Sequence, residues 1–188
     1  FSEAIDKNLL SDYQVIVVGV DDEMIKKQII NRDLLEISSN QLEIDAETLA
    51  SHIALTKATN EYELQRVITF HGLVKGAKNF AEDHKKVNEW MHGLGKSTKE
   101  ICSEHVSGDM SSGERNKRIN RLKNLSEGER RILSNARCLS EGVDVPTLDG
   151  IAFIDPRQSQ VDIIQAVGRA IRKSENKTFG TIVIPVYL

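Results

Sequence analysis

Short runs of apolar, often β-branched residues recur along the chain and alternate with longer stretches whose apolar positions return every three to four residues. The runs are YQVIVVGV (13–20), RVITFHGLV (66–74), ICSEHVS (101–107), RRILSNA (apolar core 131–136), GIAFID (150–155) and GTIVIPVYL (180–188). Each is short and nearly continuous in apolar character, as a strand covered on both sides must be. The periodic stretches, residues 75–91, 112–125 and 158–172, read as amphipathic helices. Their alternation predicts an α/β fold with a central, mostly parallel sheet and helices on both faces. The first third is less regular. Asp45 is a candidate N-cap for a helix over DAETLASHIALTK, and residues 24–44 fit helix or loop equally. The expected organisation is therefore a first segment, 1–65, of one strand and a helical or loop stretch joining the domain, then a main domain, 66–188.

Composition narrows the class without naming a function. A chain of 188 residues, 39% hydrophobic and 28% charged, fits one domain with a substantial core. A net charge of −3 argues against a uniformly basic coat but leaves room for a local basic face. No apolar run approaches a membrane span and no signal peptide is visible, so a cytoplasmic protein that does not meet the membrane is expected. Cys102 and Cys138 point to a reducing compartment, and the five histidines have no zinc-like spacing, so no metal site is expected. The chain opens on Phe1, which suggests a segment of a longer polypeptide.

Two stretches imitate nucleotide chemistry. WMHGLGKST (90–98) ends like a P-loop, but a P-loop carries its first glycine five residues before the second, and that position is Trp90. The residues before it have helical period, so Gly93 and Gly95 end a helix where a P-loop would begin one. VIVVGVDDE (15–23) looks like an apolar strand ending in metal-binding acids, yet without a P-loop before it a buried strand with solvated carboxylates suffices.

The C-terminal third carries more chemistry. On a helix over DIIQAVGRAIRKS (162–174), Gln165, Arg169 and Arg172 fall within about 60° of one another, while Ile163, Ile164, Val167 and Ile171 occupy the opposite half. Gly168 permits close approach. Two arginines at this spacing often do no more than line a solvated face, but guanidiniums also match phosphate oxygens with two-pronged hydrogen bonds. Upstream, a strand ends in Ser134-Asn135-Ala136, and a turn with Gly142 and Asp144 is closed by Pro146. Such turns at the carboxyl ends of parallel strands are where open sheets bind ligands. The helix over 112–125 also carries Arg115, Lys117, Arg118, Arg121 and Lys123 against Glu114 alone, a basic stripe that is either a solvated face or a polyanion footprint, with Ile119 and Leu122 anchoring its other side.

Taken in order, these segments resemble the C-terminal RecA-like domain of superfamily 2 helicases. SEGVDVP (140–146) followed by QAVGRAIR (165–172) is similar to motifs V and VI. HVSGDMSSGER (105–115) matches the family's strand-end glycine and following Glu-Arg through Gly108, Met110, Glu114 and Arg115, and RVITFHGLVKGAKNF (66–80) resembles motif IV. Motif V reads Ser-Glu-Gly-Val-Asp where the DEAD-box branch has Ala-Arg-Gly-Ile-Asp, and motif VI begins with Gln165 where that branch has His. The pattern is more similar to the DNA helicases and translocases of restriction enzymes, and EAIDKNLLSDYQVIVVGVDDE (3–23) to the strand with which those proteins begin the second domain.

The resemblance implies a RecA-like three-layer fold and the second motor domain of an ATP-dependent helicase or translocase, acting on DNA rather than RNA. ATP with Mg²⁺ would be bound mainly by an N-terminal RecA-like domain of the same polypeptide, so this chain alone would hydrolyse no ATP. Arg172 would be the arginine finger, with Arg169 beside it and Gln165 at the γ-phosphate or attacking water. Gly142 and Asp144 would complete the ATP contacts. Nucleic acid would meet His71, Lys75, Gly108, Arg115, Ser134, Asn135 and Arg137. The alternative is a degenerate RecA-like module serving as a protein-interaction scaffold.

Overall fold

The computed structural model describes residues 2–7, 9–21, 46–93, 100–136, 148–155, 159–170, 172–173 and 179–188. A short helix, α1 (Ser2–Asp6), precedes β1 (Asp12–Val20), and α2 (Ala46–Glu61) follows. Then come β2 (Arg66–His71), α3 (Val74–Gly93), β3 (Ile101–Ser107), α4 (Ser112–Lys123), β4 (Arg130–Ala136), β5 (Gly150–Phe153), α5 (Gln160–Ala170) and β6 (Phe179–Tyr187). Six strands form one sheet in the order β1-β6-β5-β2-β4-β3, and every neighbouring pair is parallel. The expected RecA-like layering is present.

Alternation along each strand sends side chains to two cores. Ile68, Phe70, Leu133, Ile151 and Ile182 face α4 and α5, where they meet Ile119, Leu122, Ala166, Val167 and Ala170. Val67, Ile132, Ala152 and Val183 face the other way, onto Leu55 and Ala58 of α2 and Phe80 of α3. From Leu49 to Thr59, every α2 residue except Lys57 is buried. That all-round burial explains its weak sequence signal, because a helix enclosed on every side has no polar face to set a period. The boundary expected at 65/66 falls between α2 and β2, and β1 pairs with β6 along its whole length.

The largest departure concerns β1. The apolar run 13–20 predicts a buried strand, but β1 lies at the sheet edge, with Tyr13, Val15 and Val17 exposed by 41%, 51% and 64%. Those three share the sheet face on which α5 covers β5 and β6 but stops short of β1.

Three histidines meet in the core between α2, α3 and β2. The His52 and His84 rings are fully buried with their Nδ1 atoms 3.1 Å apart, and Phe80 stacks on His52 at 4.0 Å. One Nδ1 must donate and the other accept, so the two rings, when neutral, carry opposite tautomers. Burial, followed by the charges of His84 and His71, holds His52 well below its ordinary range, and burial pushes His84 down to about 4.

Candidate functional site

Because all strands run in parallel, every β–α turn emerges on one edge of the sheet. At the end of β2, His71 is 2% exposed, with Nε2 2.9 Å from Thr69 Oγ1 and its ring against Phe80 at 4.9 Å. Ser134 is fully buried and accepts from Thr69 Oγ1 at 3.0 Å, and Asn135 is 2% exposed. These three side chains, expected among the nucleic-acid contacts, are buried at the strand ends and are turned into the fold. Arg137, Gly142 and Asp144 lie outside the described residues.

The exposed members of the edge are Lys75, in the first turn of α3, and Gly108, in the β3–α4 turn, with Arg115 half-buried in the first turn of α4. Ser111 caps α4 by accepting from the Glu114 N–H at 3.2 Å, which fixes where the first turn points. Glu114 itself pairs with Arg118. The β2–α3 turn is held from β5: the Gly72 N–H donates to Asp155 Oδ2 at 2.6 Å.

The basic stripe of α4 is partly spent within the fold. Arg118 donates to the His105 carbonyl at 2.7 Å and to Glu114 at 3.0 Å. Arg121 and Arg131 both donate to Glu104 of β3. Burial pushes the Glu104 carboxyl up, but hydrogen bonds and charge from those two guanidiniums outweigh it and hold the group below its ordinary range. Arg118 and Arg121 are thus edge-strand clamps, and of the five cations Arg115, Lys117 and Lys123 remain as the candidates for an outward surface.

A second surface is built on α5. Ser159 caps this helix by accepting from the Asp162 N–H at 3.3 Å. Starting at the turn edge, 11 residues carry the chain roughly 16 Å back along the sheet. Ala166, Val167 and Ala170 are buried, whereas Gln165 is exposed and Arg169 half-buried. Ile164, expected in the core half, is 54% exposed. The small residues Ala166 and Ala170 draw the contact arc away from it, which a count of large apolar residues does not reveal. Arg172 departs from its expected helical position, since α5 ends at Ala170 and Arg172 forms an antiparallel bridge with Leu10. It stays beside Arg169: its N–H donates to the Arg169 carbonyl at 3.3 Å. Burial, then the like charge of Arg172, lowers the Arg169 pKa. Leu10 lies just before β1, so the arginine pair sits near the amino edge of the sheet, away from Lys75 and Gly108. Among the described residues no group of three or more His, Cys, Asp or Glu could hold a metal ion, and no helix is long and apolar enough to cross a membrane.

Comparison with known proteins gives this arrangement a setting. The profile of the helicase conserved C-terminal domain family matches residues 48–174. "Probable helicase A859L" of African swine fever virus is 44% identical over 55 residues, covering 29% of this chain and 6% of the viral protein. "Putative ATP-dependent helicase IRC3" of Saccharomyces cerevisiae is 29% identical over 150 residues, covering 79% of this chain and 21% of its own length. Among solved structures, the ATP-dependent Type ISP restriction-modification enzyme LlaBIII bound to DNA superposes with a TM-score of 0.84 at 28% identity, over 99% of this chain and 13% of that one. The chain thus spans under a quarter of the length of each of these proteins.

Proposed function

Since the chain belongs to the helicase conserved C-terminal domain family, with its profile over residues 48–174, we propose that it is the second motor lobe of an ATP-dependent DNA helicase or translocase. Its α5 face forms the far wall of an ATP site whose P-loop lies in an N-terminal RecA-like lobe. The observation that carries this reading is the grouping on α5: an exposed amide, Gln165, on the helix face next to Arg169, with Arg172 adjacent at the helix end.

The chemistry follows from charge. During phosphoryl transfer negative charge spreads over the γ-phosphoryl oxygens, and cations fixed beforehand stabilise it without reorganising. Arg172, just past the helix and bridged to Leu10, would serve as the finger; Arg169 supports it, and Gln165 would orient the water or the γ-phosphate. Gly142 and Asp144 complete the contacts by resemblance to motif V. Mg²⁺ would neutralise the phosphates when bound, and by resemblance its ligands belong to the other lobe. Nucleic acid crosses the turn edge at Lys75, Gly108 and Arg115, contacts that suit phosphates rather than bases. The DNA-bound state of LlaBIII and the restriction-enzyme pattern of motif V favour DNA.

The test is Arg172→Ala in the full-length protein. Nucleic-acid-stimulated ATP hydrolysis should fall by on the order of 10³-fold or more, with DNA affinity within about twofold of the parent. Hydrolysis retained within a factor of a few would remove Arg172 from the site.

A further inference from the structure

The two surfaces lie on opposite edges of the sheet, and β5 is the strand that leads into α5. At four residues, Gly150–Phe153, it is the shortest strand among the described residues. It is also fastened to β2 by a carboxylate at each end. Asp149, just before it, accepts from the Gln65 and Arg66 N–H groups through Oδ2 at 3.0 and 2.8 Å. Asp155, just after it, accepts from the Gly72 N–H at 2.6 Å.

The second fastening differs from the first in what it holds. Beyond the stacked Phe70 and Phe153 rings, 5.6 Å apart, the ladder loosens: the Ile154 and Asp155 N–H groups reach the Phe70 carbonyl at only 3.3 and 3.4 Å. The carboxylate bond is the shortest of the three, and a charged acceptor makes it stronger than a backbone bond. It anchors the turn from which α3 presents Lys75. It also sits five residues before Gln160, the first residue of the helix that carries Gln165 and Arg169. The Asp149 carboxylate instead accepts from the start of β2, at the amino edge of the sheet.

We propose that Asp155 is a positioning residue that couples the two surfaces: its carboxylate ties the segment leading into α5 to the Gly72 turn that presents Lys75, so that nucleotide engagement at the α5 face changes the grip on nucleic acid. The proposal rests on the reading of Lys75 as part of the nucleic-acid track. A coupling residue need not alter either affinity alone; it alters the factor by which one ligand changes the other, commonly 5- to 150-fold.

The experiment uses the full-length protein, a single-stranded oligodeoxynucleotide and a non-hydrolysable ATP analogue, and measures DNA affinity with and without the analogue. In the parent the analogue should change DNA affinity at least fivefold. Asp155→Ala should bring that ratio to within about twofold of one, and Asp155→Asn, which keeps an acceptor oxygen, should restore most of it. Asp149→Ala, a matched loss at the other end of β5, should lower thermal stability while leaving the ratio as in the parent. A parental ratio in Asp155→Ala, an equal collapse in Asp149→Ala, or no ratio in the parent would each overturn the proposal. Lys75→Ala separates the two levels. It should weaken DNA binding several-fold in both nucleotide states; if it leaves binding untouched, the track reading fails and the coupling with it. If Lys75→Ala weakens binding and Asp155→Ala keeps the parental ratio, the coupling alone is wrong.

Discussion

Acid should unfold this chain earlier than its carboxylates require, because two neutral imidazoles are sealed inside it. His84 is fully buried and held at about 4, against 6.5 for an open ring. The folded value lies below the unfolded one, so the unfolded chain takes up the proton first. Stability is therefore complete above about pH 6.5 and is lost as the pH falls toward 4. That gap is equivalent to about 3 kcal/mol by pH 4, of which about 2 kcal/mol is already lost at pH 5. His52, depressed by the same burial, acts in the same direction. Urea unfolding followed by circular dichroism at pH 7 and pH 5 reads this out in a range where most carboxylates stay ionised. With a slope of about 2 kcal/mol/M, the midpoint should fall by roughly 1 M or more. The double variant His52→Leu/His84→Leu removes both proton acceptors together, so neither ring is left facing an apolar partner. Its midpoint should change by less than half as much over the same range. A parental midpoint indifferent to pH between 7 and 5, or a double variant that keeps the full drop, would refute the reasoning.

Two further predictions concern polar groups the fold encloses. Arg130, 3% exposed, donates to the Thr59 carbonyl at 2.6 Å and to Asn60 Oδ1 at 3.0 Å, closing the end of α2. Arg130→Leu should cost about 2 kcal/mol in denaturant unfolding, and a loss under about 0.5 kcal/mol would show that water can replace it. Glu104, facing Arg121 and Arg131, is held below its ordinary 4.5, so its stabilisation is present above that pH and disappears as acid protonates it. Glu104→Gln should accordingly cost about 1 kcal/mol at pH 7, a deficit that shrinks as the pH falls below 4.5; a deficit that does not change with pH would point to packing instead of charge.

Much of the architecture was legible because the strands are covered on both faces. ICSEHVS matches β3 at both ends, and the helices over 75–91 and 112–125 differ from α3 and α4 by one or two residues. The edge position of β1 was not legible, since an apolar run looks the same whether or not a helix reaches it. The candidate site divided along similar lines. Gln165 and Arg169 could be placed on one helix face by angle alone, but Arg172 could not, because nothing in its side chain announces that the helix stops at Ala170. His71, Ser134 and Asn135 looked like surface turn residues and are core residues, paired or packed across strands that lie far apart in sequence. The His52–His84 contact spans 32 positions and two helices, beyond any local pattern. Asp155 carried no visible signal either: an Asp before a Pro reads as a turn former, and its partner Gly72 stands 83 residues away.

The edge position of β1 has a practical corollary for anyone handling this chain in solution. One row of its peptide groups meets no further strand among the described residues, and Val15 and Val17 stand out beside that row. An open edge of this kind invites a second molecule to add its own strand, and warm, concentrated solutions favour that event over solitary particles. Light scattering from this chain should therefore grow with protein concentration.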